Sequence, residues 1–261
     1  DDLGPGDLGC YGQTRIQTPN IDRIAAAGLR FTEAYAGSTV CAPSRCCLMT
    51  GLHNGHGRVR DNIPHGVFLR PDDFTVGELL KQAGYRTGAF GKWGLGEPGT
   101  WGLPNMQGFD EFFGYLDQDH AHNYYPEFLW LNEREALQPG NRANRRASYS
   151  AHTIFSHATR FVEVNAQRPF FLYYAPTLPH WSDYPKDSPM SQDVPPDERY
   201  SSRDWPRVEK SYAAMVALLD DQVGQILSQL QRLSIERQTL VLFASDNGPS
   251  AERLHRPAYF N

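Results

Sequence analysis

The sequence has no run of about 18 apolar residues, the length a helix needs to cross a bilayer, so no part of it reads as a membrane span. It also lacks a basic excess: 25 Lys and Arg against 30 Asp and Glu leave a formal charge of −5, with a pI near 6.0. Without a positive field, nucleic acid is excluded as a partner, and any bound anion must be held by local charges or a metal. Cysteine is scarce. Three of the four (Cys41, Cys46 and Cys47) cluster while Cys10 stands apart, a poor disulfide framework because adjacent Cys46 and Cys47 cannot both find partners among so few. Cysteine usage therefore does not fix the redox compartment. Aromatics are plentiful, at 12% with 13 Tyr and 5 Trp, for a mean hydropathy of −0.55, and suggest a lined cleft. The 261 residues suffice for one large domain with a substantial core, and one domain over 1–261 is expected. Both ends look cut: Asp1 opens without an initiator Met or signal-like segment, and Arg256–Asn261 stop without a capping element. A missing targeting signal therefore carries no weight.

The chain is organised around Cys41-Ala42-Pro43-Ser44-Arg45-Cys46-Cys47-Leu48-Met49-Thr50-Gly51. Pro43 suits the first turn of a helix, where its missing N–H costs nothing. Cys41 should then sit just ahead of that helix, where free amides and the helix dipole favour anionic chemistry. Arg45 adds a permanent charge with a planar fork of donors. In isolation such a motif is more often a buried free cysteine beside a helix start. A zinc site from Cys41, Cys46, Cys47, His53 and His56 is disfavoured, because the spacings match no standard finger.

Along the chain, Asp1-Asp2-Leu3-Gly4 opens a glycine-rich loop in which paired carboxylates suit a cation or a solvated end. Helices are expected over Thr18–Gly28, Thr75–Ala83, Tyr149–Val164 and Trp205–Leu233 from apolar spacing and stop signals. Strands are expected over Leu29–Tyr35, Tyr85–Phe90, Pro169–Tyr174 and Thr239–Phe243. The segment Asn132–Ala147 reads as a solvated excursion, and Ser182–Arg203, rich in Pro, Asp and Ser, as a long loop. His120 and His122 alternate, so if that segment is extended they point opposite ways, and His122 is preferred as the one facing a site. Alternating strands and helices imply an α/β fold with a mainly parallel sheet sandwiched between helices, whose sites lie at the carboxyl ends of strands. Lys92, His180, Asp246 and Asn247 all follow expected strands. The oxygens of Asp1, Asp2, Asp246 and Asn247 suit calcium better than magnesium.

The stretch Cys41–Gly51 resembles the signature of the sulfatase family, and four further blocks are similar to that family's: Asp1-Asp2-Leu3-Gly4, Gly91-Lys92-Trp93-Gly94-Leu95-Gly96, Pro179-His180, and Asp246-Asn247-Gly248. The resemblance implies an alkaline-phosphatase-like fold whose first strand and C-terminal subdomain are missing here. It implies oxidation of Cys41 to Cα-formylglycine by a formylglycine-generating or anaerobic sulfatase-maturing enzyme, with Arg45 in the signature. It also implies one Ca2+ held by Asp1, Asp2, Asp246 and Asn247 with position 41 joining them, and Lys92 and His180 on the sulfate. The expected activity is hydrolysis of sulfate esters of carbohydrates or aryl alcohols, in a secreted or periplasmic enzyme. One departure stands out: Gly94 occupies the place of the family's usual histidine, a candidate proton donor, which leaves His122 as the substitute. A phosphoester or phosphonate hydrolase of the same superfamily and a non-catalytic glycan-binding relative are the alternatives.

Overall fold

The computed structural model describes residues 1–63, 66–182, 193–250 and 257–260. They fall into two compact units, one formed by Gly37–Thr177 and one by Asp1–Ala36 with Leu178–Asn261.

The unit Gly37–Thr177 is built on a five-stranded sheet. Its strands are β1 (Arg86–Lys92), β2 (Glu111–Tyr115), β3 (Phe128–Leu131), β4 (Arg134–Leu137) and β5 (Phe170–Ala175), in the order β4-β3-β2-β1-β5. Central β1 is parallel to β2 and β5, with Phe90 opposite both Phe113 and Tyr174, while β3 and β4 extend the sheet as an antiparallel hairpin. The sheet is thus parallel around β1, as the alternation of strands and helices implies, and mixed once the hairpin is added.

Period-two alternation sends neighbouring side chains to opposite faces. Ala89, Phe112, Phe171 and Tyr173 face a core containing Cys46 and Met49 of α2 (Cys41–Thr50). Phe90, Phe113, Leu172 and Tyr174 pack instead with Ile154, Ala158 and Phe161 of α4 (Ser150–Asn165). Helix α3 (Val76–Gln82) begins with a capping box in which Glu78 N donates to Thr75 Oγ1 at 3.3 Å and Thr75 N to Glu78 Oε2 at 2.9 Å. Gly91 near the end of β1 has φ +123°, and a Cβ there would lie 1.9 Å from the Ala175 carbonyl oxygen. Only glycine lets β1 leave the sheet this close to β5.

The expected solvated excursion Asn132–Ala147 contains β4, whose residues are mostly exposed. Charged edge strands are both paired and wet, so polar composition alone conceals them.

In the unit Asp1–Ala36 with Leu178–Asn261, α1 (Pro19–Ala27) packs on α5 (Arg207–Arg232). Thr18 makes no side-chain cap to α1. Buried Asp220 of α5 does so instead, its Oδ1 accepting from Asn20 N at 3.0 Å and Ile21 N at 2.8 Å. The Arg15 guanidinium lies over the rings of Tyr259 and Trp205, at 4.6 and 4.9 Å.

Two expected strands of this unit are not strands. Leu29–Tyr35 and Thr239–Phe243 carry no ladder among the described residues, and Leu29, Phe31, Tyr35, Leu240 and Leu242 are exposed. Apolar alternation specifies extended backbone, but a strand also needs a neighbour for its N–H and C=O groups, which local pattern does not encode. Of the expected loop Ser182–Arg203, residues 183–192 lie outside the described residues.

Candidate active site

In the unit Gly37–Thr177, α2 starts at Cys41 itself, one residue earlier than its sequence suggests, with Pro43 third in the first turn. The N-cap, Val40, offers no side-chain oxygen, and the amide of Ala42 donates to Asn62 Oδ1 at 2.7 Å. Lys92, the last residue of β1, is 1% exposed, and its Nζ donates to Cys41 Sγ at 3.4 Å. Buried Arg45 donates from Nη1 to the Lys92 carbonyl oxygen at 2.7 Å. Arg45 thus holds the strand end that carries Lys92, and Lys92 brings a compact positive charge to position 41.

His120 and His122 share a single 3-10 turn, not an extended segment. The His120 ring packs between Tyr115 and Phe128, at 5.1 and 4.6 Å between centroids, and burial holds it below the ordinary histidine range. His120 is therefore held by aromatic packing. His122 is half-buried on the same turn.

In the other unit, the structure brings together Asp1, Asp2, His180, Asp246 and Asn247. One ligand-type atom from each of Asp1, Asp2 and His180 lies within 4.8 Å of the others. His180 Nε2 is 3.2 Å from Asp2 Oδ2, while its Nδ1 lies 2.8 Å from the Trp181 carbonyl oxygen. Asp246 Oδ1 accepts from Asp2 N at 3.3 Å and from Asn247 N at 3.0 Å. Asn247 Nδ2 donates to Asp2 Oδ1. Asp2 holds a left-handed backbone (φ 57°), the kind of local strain that surrounding structure must maintain. Asn247 Oδ1 is buried without a hydrogen-bond partner. Three carboxylates and an orphaned amide oxygen in one place make a donor set that fits a hard divalent cation such as calcium. His180 stands beside Asp2, a placement its position after a strand did not signal.

One polar residue near position 41 escaped sequence reasoning. Asn62 belongs to no spacing motif, and only the folded chain brings it beside α2; Gln118, which opens the run carrying His120 and His122, lies beside Gly94.

A family model described as Sulfatase matches residues 1–261. Human arylsulfatase A is 34% identical over 98% of the chain and 52% of its own length. Mouse N-acetylgalactosamine-6-sulfatase is 33% identical over 95% of the chain and 49% of its own. The chain thus spans about half the length of these curated relatives. Among solved structures, Ps i-CgsB in complex with k-i-k-neocarrahexaose superposes with a TM-score of 0.71 and 30% identity, covering 90% of this chain and 54% of that one. A Bacteroides thetaiotaomicron structure described under the metabolism of multiple glycosaminoglycans gives a TM-score of 0.76 at 26% identity, covering 95% of this chain and 61% of that one.

Proposed function

The chain belongs to the sulfatase family, and from that premise we propose that the whole protein hydrolyses sulfate esters, of a carbohydrate or an aryl alcohol, with Cys41 oxidised to Cα-formylglycine as its nucleophile. In this reading residues 1–261 are the nucleophile-bearing N-terminal domain. The single observation that carries it is the buried Lys92 ammonium donating to Cys41 Sγ at 3.4 Å. A fixed positive charge at the attacking side chain is what transfer of an anionic sulfuryl group requires.

The hydrated aldehyde supplies two hydroxyls on one carbon, the first to attack sulfur and the second to release sulfate as the aldehyde re-forms. Asp1, Asp2, Asp246 and Asn247 would hold calcium, which when bound makes the attacking hydroxyl more acidic and draws charge from the transferred group. Lys92 orients a sulfate oxygen by charge-assisted hydrogen bonding, and Arg45 keeps Lys92 in place through its carbonyl. His180 holds a second sulfate oxygen. His122 donates the proton that the departing alkoxide needs as its bond to sulfur breaks. The maturing enzyme that oxidises Cys41 and a secreted or periplasmic location complete the proposal; no helix among the described residues is long and apolar enough to cross a membrane.

Mass spectrometry of the peptide spanning position 41, with release of inorganic sulfate from an aryl sulfate measured beside an aryl phosphate, tests the reading. Formylglycine with preferred sulfate release is expected. An unmodified thiol in active protein, or preferred phosphate release, refutes it.

A further inference from the structure

In the unit Asp1–Ala36 with Leu178–Asn261, Asp2 carries a left-handed backbone (φ 57°), a conformation that persists only where the surroundings enforce it. Three successive amides show how it is held. Asp2 N donates to Asp246 Oδ1 at 3.3 Å, Leu3 N to Ser245 Oγ at 3.2 Å, and Gly4 N to Asp7 Oδ2 at 2.8 Å. The first two acceptors belong to the block that also offers Asp246 and Asn247 to a cation. The third does not.

Asp7 is buried, and its Oδ2 is shared: beside the Gly4 amide it accepts from the Tyr212 hydroxyl, also at 2.8 Å. Tyr212 projects from α5, 205 positions further along the chain, and is itself buried. Burial and the nearby carboxylates of Asp7, Asp2 and Glu209 push its phenol well above the ordinary range, so the hydroxyl keeps its proton and is the donor of the pair. The Asp7 amide closes the turn by donating back to the Gly4 carbonyl oxygen at 3.2 Å. Position 4 has no room for a side chain, since a Cβ there would lie 2.9 Å from Pro249 Cγ and 3.1 Å from Asp7 Oδ2. A long helix thus reaches the loop that bears Asp1 and Asp2 through one carboxylate.

We propose that Tyr212 is a positioning residue for calcium, acting through Asp7 to hold Asp1 and Asp2 in the arrangement that receives the ion. Like charges at Asp1, Asp2 and Asp246 repel, so an ion that binds must find them already gathered or lose part of its affinity in gathering them. The hydrogen bond from α5 keeps them gathered beforehand. The inference rests on the calcium reading of this donor set and deepens it.

The test is calorimetric titration of calcium into the complete protein, stripped with chelator, as wild type, Tyr212→Phe, Asp7→Asn and Asp220→Ala. Phenylalanine keeps the buried ring and removes only the hydroxyl; asparagine keeps an acceptor for Gly4 N and removes the charge. Both should raise the calcium Kd about tenfold, the lower end of the usual loss when a group that holds a metal's ligands is removed. Saturating calcium should then restore sulfate release from an aryl sulfate. Asp220→Ala, on the same helix but bound to the first amides of α1, should lose stability and keep the wild-type Kd. An unchanged Kd in either folded variant overturns the inference, and so does an equal rise in Asp220→Ala, which would mark loss of stability alone. If Tyr212→Phe does not fold, Asp7→Asn decides by the same readings. Wild type that binds no calcium defeats the calcium reading itself, a separate outcome that takes the inference with it.

Discussion

Lys92 shows how much one residue is asked to do. Its ammonium is enclosed by protein and meets Cys41 Sγ, so it acts in a setting where charge is weakly screened. Lys92→Met should lower kcat for an aryl sulfate by about 10²–10³, the loss typical of removing one fixed donor to developing charge. Steady-state kinetics on matured protein checks this, and a variant within about threefold of wild type would remove Lys92 from the chemistry. At this scale the sequence was informative where residues sit in contiguous blocks. Cys41, Arg45 and Lys92 meet as their motifs imply, and so do Asp2, Asp246 and Asn247. It was silent on Asn62, because its contact with α2 is made across the fold rather than by neighbours in the chain. It also could not separate His120 from His122: two residues apart, one is enclosed by Tyr115 and Phe128, a packing fact with no local signature.

Elements were legible in proportion to how local their causes are. All four helices expected outside the nucleophile stretch form within two residues of their expected bounds, since apolar spacing and caps lie inside each segment. The strands at Arg86–Lys92 and Phe170–Ala175 also form, while Leu29–Tyr35 and Thr239–Phe243 do not pair. Helix α1 marks the limit of local reading, since Asp220, 200 positions from Asn20, binds its first amides. Asp220→Ala should therefore destabilise the protein by about 1–3 kcal/mol, because it strands buried amides as well as removing a cap. Urea unfolding followed by circular dichroism measures this, with Asp220→Asn, which retains one acceptor, expected to lose less. Equal stability of Asp220→Ala and wild type would show that water replaces the carboxylate without cost.

For the molecule as a whole, titration and metal binding give two expectations. Burial holds His120 and His157 below the ordinary histidine range, with Arg160 adding to the effect at His157. Unfolded, these imidazoles bind protons more readily, so the unfolded state takes up protons first as pH falls through about 6.5, and stability declines from there downward. Melting temperatures should drop between pH 7.5 and 5.5, before Asp110 and Asp197, both held below the usual carboxylate range by their hydrogen bonds and basic neighbours, begin to protonate. A flat profile over that interval would contradict the burial of the two rings. Calcium at about 100 times its Kd should add about 2.7 kcal/mol, and so raise Tm by roughly 5–10 °C. Chelation should reverse the shift and Asp246→Ala should abolish it; calorimetry without any calcium response would exclude the donor set as a cation site.

The division of the chain has a consequence for its synthesis. Gly37–Thr177 is continuous in sequence, whereas Asp1–Ala36 shares its unit with Leu178–Asn261. On the ribosome the opening segment must wait for some 140 residues to be added before its partners exist, a delay of about 7–28 seconds at about 5–20 residues per second. During that interval Ile21, buried in the finished unit, and the first amides of α1 lack α5 to pack against. Nascent chains halted before Leu178 should thus be cut by protease within the first 36 residues, while the segment that follows already resists.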